Sequence, residues 1–534
     1  MAQPPTAELS DFVGLKWVRP TIWGAEPRWT IELDNQAILS TIRDALNLVY
    51  PCEIEFLASG AMNKVFVVKS ADRELVARVT LPVDPKWKTM CEVASLKWVS
   101  QHTDLPVPEM PGKPLGDVWR DLSFEARRGV VRQLATFCAA CFQHQFTKIG
   151  GLSLAEGKSA TSTRPSKGDG DDQSSLPGAS GTVFEVGRIV SMGFFWEDRI
   201  HQNVNRGPFS TSKEWLSAKL DLVHIECSRH IERIRAKAKG TNEEKNSPAD
   251  VCSRDQTVEG IEGEHVPTER FKVGNEHEIQ FGEYKRMKIE DDEVNENDTA
   301  NSNIEAMPST ENEKLQSKNE IVAGKIYETG DQSDGNDDDD DGDDDDDEDD
   351  LEDLEETESI ISRLRSLMDD FFPANETNTE PTMLFHEDLS FHNALVSEEG
   401  HLTAVVDWEC ISLSPIWLAC QYPLLLHSHD SEKQPDKNIY RKDENGDVDE
   451  LYWEHLTNWE LTQLRRYFLE EMKVLAPGWV EVFQSSERLR DFFLAVETCD
   501  DYIYMSHIVT WLNDLESGDT GFKGLRERVD TWAD

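Results

Sequence analysis

Asp388, Asn393 and Asp407 have the residue types and the spacing that a phosphoryl transfer needs. They fall within LFHEDLSFHNALVSEEGHLTAVVDWE, residues 384–409, where His386, Asp388 and Asn393 follow H-x-D-L-x-x-x-N and Asp407 opens Asp-Trp-Glu. Such a transfer calls for a carboxylate that orients the attacking hydroxyl and takes its proton, a role that suits Asp388. It also calls for hard oxygen ligands for magnesium, which suits Asn393 and Asp407. His386 is placed to support the loop. A lone H-x-D is common in any loop; the complete set in order, flanked by apolar strands, is far rarer.

The elements that must hold these groups are legible around them. Met383, Leu384 and Phe385 form an apolar run before the loop, Ala394, Leu395 and Val396 a short strand, Gly400 a turn, and a second apolar strand ends on Asp407. Helical periodicity precedes them at Ile360, Ile361, Leu364, Leu367 and Met368, and follows them in a stripe of Leu461, Leu464, Phe468 and Met472. Near the start, Trp17, Trp23 and Trp29 read as anchors of an extension, with a helix over Asn35 to Leu48. From Cys52 the pattern becomes strand, turn, strand, and alternating apolar residues (Ile54, Phe56; Val65, Val67) predict an antiparallel sheet. Residues 119–155 read as helical; Cys138, Cys141 and His144 lack a second ligand pair nearby, which favours buried helix thiols over a metal centre. Phe194, Phe195 and Trp196 read as core, and a capped helix begins at Ser212.

With Asp-Trp-Glu standing where protein kinases have Asp-Phe-Gly, the block from His386 to Glu409 resembles the aminoglycoside phosphotransferase family, in its large fungal branch. The resemblance covers about 51–155, 182–230 and 356–515. It implies a protein-kinase-like α/β (α+β) fold of two lobes, an antiparallel-sheet N-lobe and a mainly helical C-lobe. It also implies ATP and Mg2+ as cofactors and a hydroxyl-bearing acceptor, a small molecule being favoured; it does not imply an antibiotic. Ser59, Gly60 and Asn63 fall in the first turn of the sheet, where backbone amides could approach ATP phosphates, although one glycine in a hairpin by itself marks only a turn. Arg78 stands where a kinase has its phosphate-pairing lysine, as in the fungal branch, and Glu92 is positioned to pair with it. Arginine keeps its charge and binds phosphate through a planar fork; the simpler alternative is a surface ion pair of little value.

One segment departs from the family. After LPVPEM the chain runs at once into PGKPLGDVW, where the family has about twenty residues forming two strands and the interlobe hinge that reads adenine. That departure keeps a second class of function open, a catalytically weak kinase-like binding or scaffold protein.

The formal charge of -50 is extreme for an enzyme, and residues 241–360, with 42 acids against 10 bases, hold most of it. Residues 236–355, poor in aromatics and carrying an Asp-rich run from Asp337 to Asp350, read as a disordered acidic insertion. The chain then divides into an extension (1–50) packing on the core, an N-lobe (51–110), a first part of the C-lobe (111–235) with a flexible loop at 156–181, the insertion, and the remaining C-lobe (356–534). Such acidity argues against nucleic acid or an anionic membrane as ligands and leaves basic proteins as candidate partners of the tract. Nine cysteines without a framework fit a reducing compartment. No apolar run approaches the roughly eighteen residues of a spanning helix, and MAQPPTAELSDFV carries no targeting pattern. An intracellular, soluble protein of the cytoplasm is expected, with mitochondrion and nucleus left open.

Overall fold

A hairpin of β1 (Leu15–Thr21) and β2 (Gly24–Trp29) precedes helix α1 (Asn35–Leu46) in the computed structural model. The structure describes residues 12–21, 24–107, 112–155, 183–245, 279–284, 343–374, 379–442, 446–518 and 521–530. Trp17 packs against Trp196 with ring centroids 4.8 Å apart, and Trp29 carries the Lys64 ammonium over its face; Trp23 lies outside the described residues. Asp34 starts α1 by accepting from the backbone N–H of Gln36 at 2.8 Å, and Asn47, at φ 52°, ends it in the left-handed region that asparagine tolerates. The helix lays Ile38, Leu39 and Ile42 over the meander β3 (Glu53–Ser59), β4 (Asn63–Lys69) and β5 (Glu74–Thr80). The covered face is made by Phe66, Val68, Leu75, Ala77 and Val79. The expected sheet is present, but its buried parity in β4 is that of Phe66 and Val68, not of Val65 and Val67, and Phe56 is 53 % exposed. In a run of Val-Phe-Val-Val both parities are apolar, so the covering helix decides.

Helix α2 (Trp87–His102) leaves the sheet, and the chain enters the second lobe within a few residues. Leu105 is already in the core of that lobe, and β6 (Lys113–Pro114) and the single turn α3 (Leu115–Val118) follow; no pair of strands intervenes among the described residues. Ser123 caps α4 (Phe124–Gln143), which buries Val130, Val131 and Leu134 and holds Cys138 and Cys141 as free thiols. The antiparallel pair β7 (Leu152–Leu154) and β8 (Phe184–Val186) leads to α5 (Met192–Phe195), where Phe194 and Phe195 are fully buried. Helix α6 (Ser212–Lys245) follows. Strand β9 (Ile279–Tyr284) then pairs antiparallel with β5 along its length, from Glu74↔Tyr284 to Val79↔Ile279, and completes a four-stranded sheet in the order β3-β4-β5-β9.

Helix α7 (Asp343–Phe371) packs on α6 as an antiparallel partner: Asp221 meets Arg365, His224 meets Glu358, and Arg235 meets Glu355. Most of the acidic tract expected over 236–355, and the loop expected over 156–181, lie outside the described residues; α6, β9 and α7 reach into the tract. Four short strands come next, β10 (Thr382–Phe385), β11 (Ala394–Val396), β12 (Leu402–Val405) and β13 (Ser412–Pro415). They form a β10-β13 pair and a β12-β11-β6 sheet. The turn α8 (Ile416–Ala419) opens the final helical part: α9 (Glu450–Leu475), α10 (Pro477–Ser485), α11 (Glu487–Glu497), α12 (Tyr502–Ser517) and α13 (Leu525–Asp530). The predicted stripe of α9, Leu461, Leu464, Phe468 and Met472, lies in the core shared with α4, each side chain contributing about 1.5–3 kcal/mol of burial. The mixed α/β fold with antiparallel sheets and many helices is the one expected from the sequence. No described helix is long and apolar enough to cross a membrane.

Gly400 makes the β11–β12 turn at φ 82°, and a Cβ there would lie 2.9 Å from Leu122 Cδ2 and 3.0 Å from Ala126 Cβ. Gly400→Ala should therefore destabilise the fold by about 1–3 kcal/mol, read as a lower denaturation midpoint at unchanged m-value.

Candidate active site

The loop from His386 to Asn393 is pinned by its own buried groups. His386, 4 % exposed, donates from Nε2 to the carbonyl of Val406 at 3.2 Å and so ties the loop to the strand end that carries Asp407. Burial lowers its pKa to about 4, so the ring is neutral at neutral pH. Farther along, the Leu389 carbonyl takes the N–H of Leu425 at 2.9 Å and the Phe391 carbonyl takes that of Gly116 at 3.1 Å. Inside this frame Asn393 Nδ2 donates to the Asp388 carbonyl at 2.9 Å and to Asp388 Oδ2 at 2.7 Å. The pair fixes the direction of the carboxylate and leaves the Asn393 amide oxygen outside it as a hard donor. Burial raises the Asp388 pKa, with hydrogen bonds from Ser390 and Asn393 opposing.

Asp-Trp-Glu is placed by its middle residue. Trp408, 1 % exposed, donates its indole N–H to the Val405 carbonyl at 2.8 Å and meets the edge of His386, with ring centroids 4.9 Å apart. The two acids flank this anchor. Asp407 takes φ 62°, a left-handed conformation that aspartate tolerates better than most side chains and that persists only where its surroundings enforce it. Burial and then Glu409 lift its pKa to about 6, while Arg78 pulls the other way. A carboxylate crowded in this manner by other acids gains from a nearby cation, which is the electrostatic fit required of a magnesium ligand.

The sheet lobe supplies the cations. Arg78 on β5 is ion-paired with Glu92 on α2, their side chains 18 % and 5 % exposed, so this is no surface pair. Lys88, also on α2 and 1 % exposed, is ion-paired with Glu409 and lies 3.3 Å from Thr80 Oγ1. Asn63 donates to Glu409 at 2.9 Å and accepts from Thr80, and Arg78 Nη1 stands 3.9 Å from the same carboxylate. Against burial, which raises it, Lys88, Arg78 and Asn63 hold the Glu409 pKa below its ordinary value. The amide of Asn63 is thus engaged beneath the turn. Ser59 and Gly60 are exposed at its tip; the Gly60 N–H closes the turn on the Asn63 carbonyl at 2.9 Å, and a Cβ on Gly60 would meet nothing within 4 Å.

Lys88 carries no motif, but it stands four residues before Glu92 and therefore on the same face of α2, a signal that helical spacing could have raised. Glu409 has no assigned role in the sequence pattern beyond completing Asp-Trp-Glu. In the helical lobe Asp500 is paired with Arg199 at 3.1 Å and Asp501 caps α12, which gives both acids structural roles.

Comparison with known proteins bears on the block that carries this site. Residues 328–418 match the family described as the phosphotransferase enzyme family, APH. Two subtelomeric hrmA-associated cluster proteins of Aspergillus fumigatus strains are 25% and 24% identical to the chain over 187 residues, covering 30% of this chain and 34% of each relative. The match thus spans about a third of the length of these curated relatives. No solved structure matches. The segment that positions Asp388, Asn393 and Asp407 lies within that match, and the matching family is the one that the spacing of those residues resembles.

Proposed function

We propose that the chain is an ATP- and magnesium-dependent phosphotransferase acting on a hydroxyl of a small-molecule acceptor. The observation that carries this reading is the meeting of charges at Asp-Trp-Glu: Lys88 and Arg78 of the sheet lobe reach Glu409, two residues from Asp407, while Asn393 aims Asp388 from the helical lobe. Asp388 takes the proton of the acceptor hydroxyl, and its bond to Asn393 aims the carboxylate. Asp407 and the amide oxygen of Asn393 are the hard donors suited to Mg2+, which when bound would offset charge on the phosphoryl oxygens. Arg78, oriented by Glu92, pairs with phosphate. The turn at Ser59 and Gly60 leaves open space above it for the nucleotide, with Asn63 bracing the turn through Glu409. His386 holds the loop through Val406.

A second reading is favoured by two observations: among the described residues no hinge strands lie between α2 and β6, and β9 occupies the edge of β5. On that reading the chain is a kinase-like binding protein with weak catalysis. Basic proteins are the partners we propose for the acidic tract, and their binding should weaken steeply as salt rises. The free thiols suit a cytoplasmic setting.

Calorimetry of ATP with and without magnesium separates the two readings. A phosphotransferase should gain ATP affinity with magnesium, and Asp407→Ala should abolish that gain; a folded chain that binds no ATP under either condition excludes the first reading. Asp407 accepts a metal only as the carboxylate, and its pKa lies near 6, so the gain should fall by about tenfold per pH unit below about 6. In a phosphotransfer assay Asp388→Asn should lower turnover by about 10²–10⁴-fold while ATP binding stays within about twofold of the wild type; unchanged turnover would remove Asp388 as the base.

A further inference from the structure

We infer that Lys88 and Glu409 form a latch between the lobes that positions Asp407, and that the last acid of Asp-Trp-Glu is reserved for this latch and not for metal. The inference rests on the reading of Asp407 as a magnesium ligand. Lys88 is 1 % exposed, and a lysine ammonium is taken out of water only against a partner. That partner comes from the other lobe, 321 residues away in the chain. The same Glu409 oxygen receives Asn63 of β4, and Arg78 of β5 lies alongside, so β4, β5 and α2 all converge on one carboxylate of the helical lobe.

Asp407 has little freedom between its two fixed sides. On one side the Val406 carbonyl is held by His386; on the other Trp408 is locked to Val405 and Glu409 is drawn into the sheet lobe. The left-handed backbone at Asp407 is the conformation that these attachments enforce. Turning Glu409 toward a metal would strand the Lys88 ammonium in a dry site, whereas Asp407 is exposed. A buried ion pair adds little net stability over an apolar pair of the same shape, so its contribution here is geometric. Lys88 is thus a positioning residue that acts on the metal ligand through Glu409.

The test uses the full chain with Lys88→Met and, because a lone buried carboxylate could unfold that variant, the charge-free pair Lys88→Met/Glu409→Gln. In calorimetry the double variant should lose about 10- to 100-fold of the magnesium-dependent gain in ATP affinity. Without any nucleotide, backbone amides of residues 406–411 should exchange with deuterium about tenfold faster than in the wild type. A double variant with wild-type magnesium gain and wild-type exchange overturns the latch. So does a Lys88→Met protein that binds magnesium more tightly, the sign expected of a metal-ligating Glu409 released from its competitor. If the wild type binds no ATP, the phosphotransferase reading fails alone, and the exchange measurement still decides whether Lys88 and Glu409 hold the segment.

Discussion

A carboxylate and an ammonium buried together constrain everything around them. Removing each ion from water carries a penalty of several kcal/mol, and mutual attraction offsets it only when the remaining hydrogen-bonding capacity is filled. Asn63, Arg78 and Thr80 surround the Glu409–Lys88 pair for that reason, and they come from two strands of one sheet. The sheet lobe must therefore sit at one distance and one angle from the Asp-Trp-Glu segment. Arg78 and Lys88 end up on the sheet side, and Asp388, Asp407 and Glu409 on the helical side. Trp408 makes the arrangement durable, since its ring lies in the core of the larger lobe while its neighbours in the chain face the smaller one.

Elements with local causes were legible in the sequence. The stripe on α9 and the apolar face of α1 act within a few positions of themselves, so their reading needs no knowledge of the rest of the molecule; the end of α1, read at Leu48, falls at Leu46 because Asn47 turns left-handed. Three features had distant causes. The face of β4 that is buried follows from where α1 lies, and Val65 to Val68 offer no internal preference. The second half of α6 is polar in sequence and is supported by α7, more than a hundred residues later, through pairs such as Arg235 with Glu355. Strand β9 sits in an acidic surrounding that shows no strand periodicity, and its place comes from the hydrogen-bonding edge of β5.

The site divides along the same line. Asp388, Asn393 and Asp407 are near one another in the chain, so spacing alone exposes them, and the Arg78–Glu92 pair follows once a strand and the next helix are recognised. Lys88 has a partner in the other lobe, and a lone lysine at a helix start reads as solvated until that partner is known. Asn63 was marked by its turn, but the direction of its amide is set by Glu409 and Thr80, which no turn pattern contains.

The antiparallel packing of α6 and α7 gives the polypeptide a natural seam. The chain departs from Lys245 and returns at Asp343 on the same end of this helical hairpin. Severing the backbone there would leave one fragment with Arg78, Lys88 and Glu92 and another with Asp388, Asn393, Asp407 and Glu409. Neither half holds a complete set of charges, and the surfaces that would reunite them, α6 on α7 and α4 on α9, belong to opposite halves. The two groups of charges therefore meet only where the first half of the sequence packs on the second, at α6 on α7 and at α4 on α9.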